Sequence, residues 1–130
     1  MALDPSRLPE EVLAFLAERH LGTLTTLRGD GRLHVVAIGF AFSPPEGLVR
    51  VITGVTSAKA VNARRPGARA AVGQVDGARW LSLEGPVTLS SEPARVAAAE
   101  AAYAARYHVP RPNPERAALE ITVERVLGRA

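Results

Sequence analysis

Two strand-turn-strand runs constrain this chain more than any other feature. "GTLTTL" (Gly22 to Leu27) and "LHVVAIGFAF" (Leu33 to Phe42) flank "RGDG", and "ARAAVGQV" and "RWLSLEGPVTL" flank "DGA". Each flanking run is short and rich in apolar and β-branched residues, and each connector sets glycine beside aspartate, the chemistry of a tight hairpin. Two more strands are expected. "LVRVIT" (Leu48 to Thr53) follows the turn "SPPEG", and "ALEITVERVL" alternates Leu119, Ile121 and Val123 with Glu120, Thr122 and Glu124, the period-two pattern of a half-buried strand. Six strands joined mostly by tight turns predict a small antiparallel barrel, because closure removes exposed edges.

Three helices accompany them, so the chain is mainly β with helices, α+β by content. "PEEVLAFLAER" places Pro9 at the first helical position, two glutamates in the first turn, and Val12, Leu13 and Leu16 along one stripe. "SEPARVAAAEAAYAARY" is an alanine-rich helix with Ser91 as its expected cap, stopped by Pro110, Pro112 and Pro114. Residues 1–130 are read as one domain, long enough to bury a core without staples. The absence of cysteine excludes disulfides and thiolate metal sites, and no metal-ligand cluster stands out. The first twenty residues carry acids where a signal peptide needs a basic start, and no run approaches ~18 unbroken apolar residues, so a soluble, cytoplasmic protein without a membrane partner is expected. The net charge of +3 is carried by arginines scattered along the chain, and with only six aromatic residues there is little basis for binding nucleic acid.

Lys59 is the only lysine, against fifteen arginines. Ser57 is placed to cap a short helix from about Ala58 to Arg65, which Pro66 and Gly67 end. Lys59 then lies in the first turn, the electropositive end of the helix dipole, where a cation is disfavoured by a few tenths of a kcal/mol. A bound anion removes the misfit. Free backbone N–H groups, the hydroxyls of Ser57 and Thr56, and the Lys59 ammonium would meet a phosphate, with Asn62 one turn along the same face. The plain alternative is a solvated lysine beside an ordinary cap.

"LTTLRGDGRLHVVAIGFAF", "VITGVTSAKAVNARRPG", "QVDGARWLSLEG" and "RYHVPRPNPERAALEITVERVLG" together resemble, in order and spacing, the flavin/deazaflavin oxidoreductases of the pyridoxamine-5'-phosphate-oxidase-like split-barrel superfamily, from about Leu8 to Gly128. The resemblance points to the branch using the deazaflavin coenzyme F420, and within it to the F420-dependent biliverdin reductases. It implies a homodimeric split β-barrel with cofactor sites between subunits, and a hydride transferred from reduced F420 to a conjugated small molecule, with biliverdin the best guess. The loop matching Thr53 to Lys59 would hold the cofactor phosphate. The strand matching His34, Val36, Ala37 and Ile38 would run along the ring and ribityl chain, Trp80 would reach the cofactor, and Arg79 would meet its acidic oligoglutamate tail. Relative to the biliverdin-reducing proteins, Val55, Thr56 and Ala58 are departures within that loop. Each position also has a structural reading: His34 as a strand-end histidine, Trp80 as core or dimer interface, and Gln74 as a partner for backbone groups. No catalytic residue is assigned, and His20 and His108 receive no role. An FMN-dependent oxidoreductase of the same fold and a non-catalytic flavin- or tetrapyrrole-binding barrel are the alternatives.

Overall fold

The computed structural model describes residues 2–130. Nine strands and three helices follow in the order β1 (Ala2–Leu3), α1 (Glu10–Ala17), β2 (Gly22–Leu27), β3 (Leu33–Ile38), β4 (Ala41–Ser43), β5 (Leu48–Gly54), α2 (Ala58–Ala63), β6 (Arg69–Asp76), β7 (Arg79–Ser90), α3 (Pro93–Arg106), β8 (Arg116–Thr122) and β9 (Arg125–Arg129). The ladder runs β3-β2-β6-β7-β8-β5-β4, with β9 also on β7 and β1 on β9, all antiparallel where paired.

Both hairpins form where turn chemistry placed them. Leu27 pairs with Leu33 across the first turn and Asp76 with Arg79 across the second, where Gly77 takes a φ of +63 that its neighbours would resist. The expected strand from Leu33 to Phe42 is instead two. It breaks at Gly39 and Phe40, and its halves sit at opposite ends of the ladder path. The barrel is therefore not closed by hydrogen bonds; a two-residue link forms its seam.

Closure at the other side depends on β7, which pairs with β9 through Glu84, with β6 through Pro86 and with β8 from Val87. At Gly85 the backbones come so close that a Cβ would sit 1.8 Å from the Thr122 carbonyl oxygen. Only glycine fits this corner.

Inside lies one core built on Phe15, Phe40, Leu24, Leu81, Leu83, Leu119 and Ile121, all fully enclosed. α1 contributes Val12, Phe15 and Leu16; Leu13 is only half-buried, and Pro9 serves as N-cap rather than first residue. Gln74, buried on β6, donates to the Phe15 carbonyl at 3.0 Å and so pairs with backbone as anticipated.

Two sequence expectations need correction. β8 is buried from Ala117 through Ile121 on both faces, so Glu120, opposite the core residues Leu119 and Ile121, is buried on the second face, where it meets Arg95 of α3 at 2.7 Å; the strand then stops at Thr122, and Val126 belongs to β9. Alternation misled because covering the second face is a tertiary event. Ser91 does not cap α3 either. Pro93 opens the helix, Glu92 takes the N-cap position, and the Ser90 hydroxyl accepts from the Glu92 N–H. No helix is long and apolar enough to cross a membrane among the described residues.

Candidate functional site

The seam creates the site. Phe40 has no ladder partner, yet its backbone is buried and must be satisfied. The Phe40 N–H donates to the Tyr107 hydroxyl at 3.1 Å, and Arg106 donates to the Phe40 carbonyl at 2.6 Å. Arg106 also reaches the Glu18 carbonyl and the Gln74 amide oxygen, while Tyr107 reaches the His20 carbonyl at 2.6 Å. The end of α3 is thus clasped to the seam. Burial pushes the Tyr107 phenol up and the Arg106 guanidinium down from their ordinary values. At Gly39 a Cβ would come within 2.9 Å of the Tyr103 ring and 3.0 Å of the Tyr107 ring, so both aromatic rings rest on bare backbone.

Beside this clasp opens a cavity of about 440 Å³. Ile38 and Gly39 from the end of β3, Ile52, Thr53 and Gly54 from β5, and Lys59 from α2 line one side. The other side is Tyr103 of α3, Arg116 of β8, and His108, Pro110, Arg111 and Asn113 of the proline-rich connector between them. Val55 N–H donates to the Glu115 carbonyl at 3.0 Å, which ties the loop before α2 to that connector.

No carboxylate among the described residues lines the cavity. Arg116 is spent on Glu100 at 2.7 Å, and Lys59 enters none of the ion pairs among the described residues. Asn113 uses its side-chain oxygen for the Glu115 N–H, leaving its amide hydrogens for a ligand. A lining that combines cations and neutral donors with Ile38, Ile52 and Tyr103 suits a molecule with an anionic group and an apolar conjugated body.

The sequence-based candidates divide unevenly over this geometry. Ile38, Thr53 and Lys59 line the cavity. Ser57 caps α2 as expected, accepting from the Ala60 N–H at 3.2 Å, and it shares a 2.7 Å bond with Thr53, so both hydroxyls form one unit. α2 ends at Ala63 rather than Arg65. Asn62 does not face the cavity with Lys59: it is buried, donates to the Thr26 hydroxyl at 3.0 Å and accepts from Arg65, pinning α2 to β2. His34, Val36 and Ile38 share the inner side of β3, with a buried His34 Nδ1 that has no partner, while Ala37 faces outward with Val35. Arg79 and Trp80 also lie off the cavity. Arg79 is bidentate to Glu18 at 2.8 and 3.0 Å, contacts Asp76 at 2.5 Å and lies 4.3 Å from the Phe15 ring centre, so its charge is already matched. Those bonds hold the Glu18 carboxyl at about 2, below its ordinary 4.5. Trp80 stands 38 % exposed opposite Val75 on the outer sheet face.

Sequence reasoning missed Tyr103, His108, Arg111, Asn113 and Arg116. The run "RYHVPRPNP" was distinctive, but nothing local shows which of its side chains turn inward.

The family described as "Pyridoxamine 5'-phosphate oxidase" matches residues 8–130. An "F420H(2)-dependent biliverdin reductase" of Mycobacterium tuberculosis (strain CDC 1551 / Oshkosh) is 56% identical over 130 residues, 100% of this chain and 94% of that protein. Among solved structures, a conserved hypothetical protein from Mycobacterium tuberculosis superimposes with a TM-score of 0.79 at 26% identity, covering 95% of this chain and 85% of that one. A protein named "F420 Reductase" does so at 0.74 and 22% identity, over 92% and 98%.

Proposed function

Since the chain belongs to the pyridoxamine 5'-phosphate oxidase family, we propose that it is an F420-dependent reductase that delivers a hydride to a conjugated small molecule, biliverdin first among the candidates. The observation that carries this reading is 56% identity, over the whole chain, to an F420H(2)-dependent biliverdin reductase. The cavity agrees with it. A lysine without a carboxylate partner, a threonine-serine hydroxyl pair and a free asparagine amide fit the phosphate of F420, and the apolar lining residues fit its ring.

When bound, the reduced deazaflavin supplies the hydride. The protein's part is to bind, orient and keep out water. Lys59, Thr53 and Asn113 would fix the phosphate. Ile38, Gly39 and Ile52 would hold the ring against the end of β3, and Tyr103 would wall the space above it. The clasp of Arg106 and Tyr107 keeps that wall in register with the strand it faces.

The reading includes a homodimer whose subunits share the cofactor sites. Its support is the outer face of the sheet, where Leu27, Leu33, Val35, Val75 and Trp80 lie exposed on the same side of β2, β3, β6 and β7. On this reading Ala37 and Trp80 meet the cofactor or the partner only in the dimer. Titrating the purified protein with F420 and with FMN, following Trp80 fluorescence, tests the cofactor assignment. F420 should bind more tightly; a preference for FMN would overturn it.

A further inference from the structure

A second cavity, of about 290 Å³, is lined by Arg19, Leu21, Tyr103, Tyr107 and His108. It meets the larger cavity at Tyr103 and His108, which line both. Its aromatic side is built with care: Tyr103 and Tyr107 lie 4.9 Å apart at a 40° tilt, and His108 stands edge-on to Tyr103 at 5.6 Å. Both tyrosines are seated on Gly39.

The charge here is as one-sided as in the larger cavity. Arg19 joins none of the ion pairs among the described residues, and no carboxylate lines the space. The neighbouring Glu18 is turned to Arg79 and His20 instead. His108 contributes its ring face rather than a donor, because its one hydrogen is already used. Its Nδ1 lies 3.1 Å from the Val109 carbonyl, which can only accept, so the hydrogen sits on Nδ1 and Nε2 is an acceptor, leaving Arg19 as the cavity's cation.

We propose that this smaller cavity is the subsite for a carboxylate of the reducible substrate, with Arg19 as its cation and the Tyr103, Tyr107 and His108 rings as the surface on which the planar conjugated body lies. The division of labour follows from position: the anion of the cofactor is met at the Lys59 end, and the anion of the substrate at the Arg19 end, with Tyr103 and His108 between. The substrate class is thus a flat, conjugated carboxylic acid. The assignment rests on the reading of the protein as a reductase of such a molecule.

Biliverdin and its dimethyl ester, titrated into cofactor-free protein and followed by Trp80 quenching and the induced circular dichroism of the bilin, test it without relying on turnover. Wild type should bind the free acid about tenfold or more tightly than the ester, Arg19→Gln should lose about that factor for the acid and little for the ester, and Arg19→Lys should recover part of it. F420 affinity should be the same in all three proteins. If Arg19→Gln binds the acid as tightly as wild type, which itself binds and reduces biliverdin, the subsite is wrong and the reductase reading stands. If wild type binds F420 but neither binds nor reduces biliverdin, the substrate reading fails and takes the subsite with it.

Discussion

At Lys59, composition, capping and cavity converge. A lone lysine in an arginine-rich chain was visible as an oddity in the sequence; the structure puts it on a cavity wall without a carboxylate partner. Lys59→Ala should weaken F420 binding by about 1.5–3 kcal/mol, roughly 10- to 150-fold, and leave thermal stability unchanged; equal affinity in a fluorescence titration would remove the ammonium from the site. Tyr107 divides its roles: its ring lines the smaller cavity, while its hydroxyl holds the seam. Tyr107→Phe leaves the Phe40 N–H without a partner at the seam and should cost about 1–3 kcal/mol in denaturant unfolding, whereas an unchanged midpoint would mean that the seam needs no clasp. Other residues show where sequence stops. Asn62 shares helical spacing with Lys59, but spacing cannot say which side of a six-residue helix faces a neighbouring strand. Arg79 reads as a free cation until Glu18, 61 residues away in sequence, is brought beside it.

Among elements, those set by local chemistry were legible: both hairpins, the Ser57 cap and all three helices appear within a few residues of their expected bounds. What was not legible needed distant partners. The break at Gly39 depends on Tyr103 of α3 and Tyr107 just after it, and the burial of Glu120 depends on Arg95. The corner at Gly85 is a further case, since its glycine serves a contact with Thr122. Gly85→Ala should therefore destabilise the fold far more than a glycine-to-alanine change in an open loop, and near-wild-type unfolding would show that β7 can cross elsewhere. The tie between the end of α1 and the second hairpin is electrostatic. Because the Glu18 carboxyl titrates lower folded than unfolded, its contribution is complete above about pH 4.5 and is lost as pH falls toward 2. Thermal melts across that window should steepen for wild type and flatten for Glu18→Gln, with salt narrowing the difference because the pair is partly exposed; parallel curves would contradict the linkage.

At the scale of the molecule, a sheet whose two ends meet at a two-residue seam leaves an opening, and the cations gather around it. The same sheet turns an apolar outer face to its surroundings, from Leu33 at one end to Val75 and Trp80 at the other. Val75→Arg should convert a dimer to monomers in sedimentation and weaken F420 binding with it; a wild-type monomer at micromolar concentration would contradict the shared-site reading. The most direct measurement of the central claim is anaerobic. Reduced F420 is mixed with biliverdin and protein, and both chromophores are followed by absorbance. The account predicts that oxidised F420 and bilirubin appear together, one for one, only when the protein is present. Biliverdin left unreduced by a protein that binds F420, or reduced only when FMN replaces F420, would contradict it.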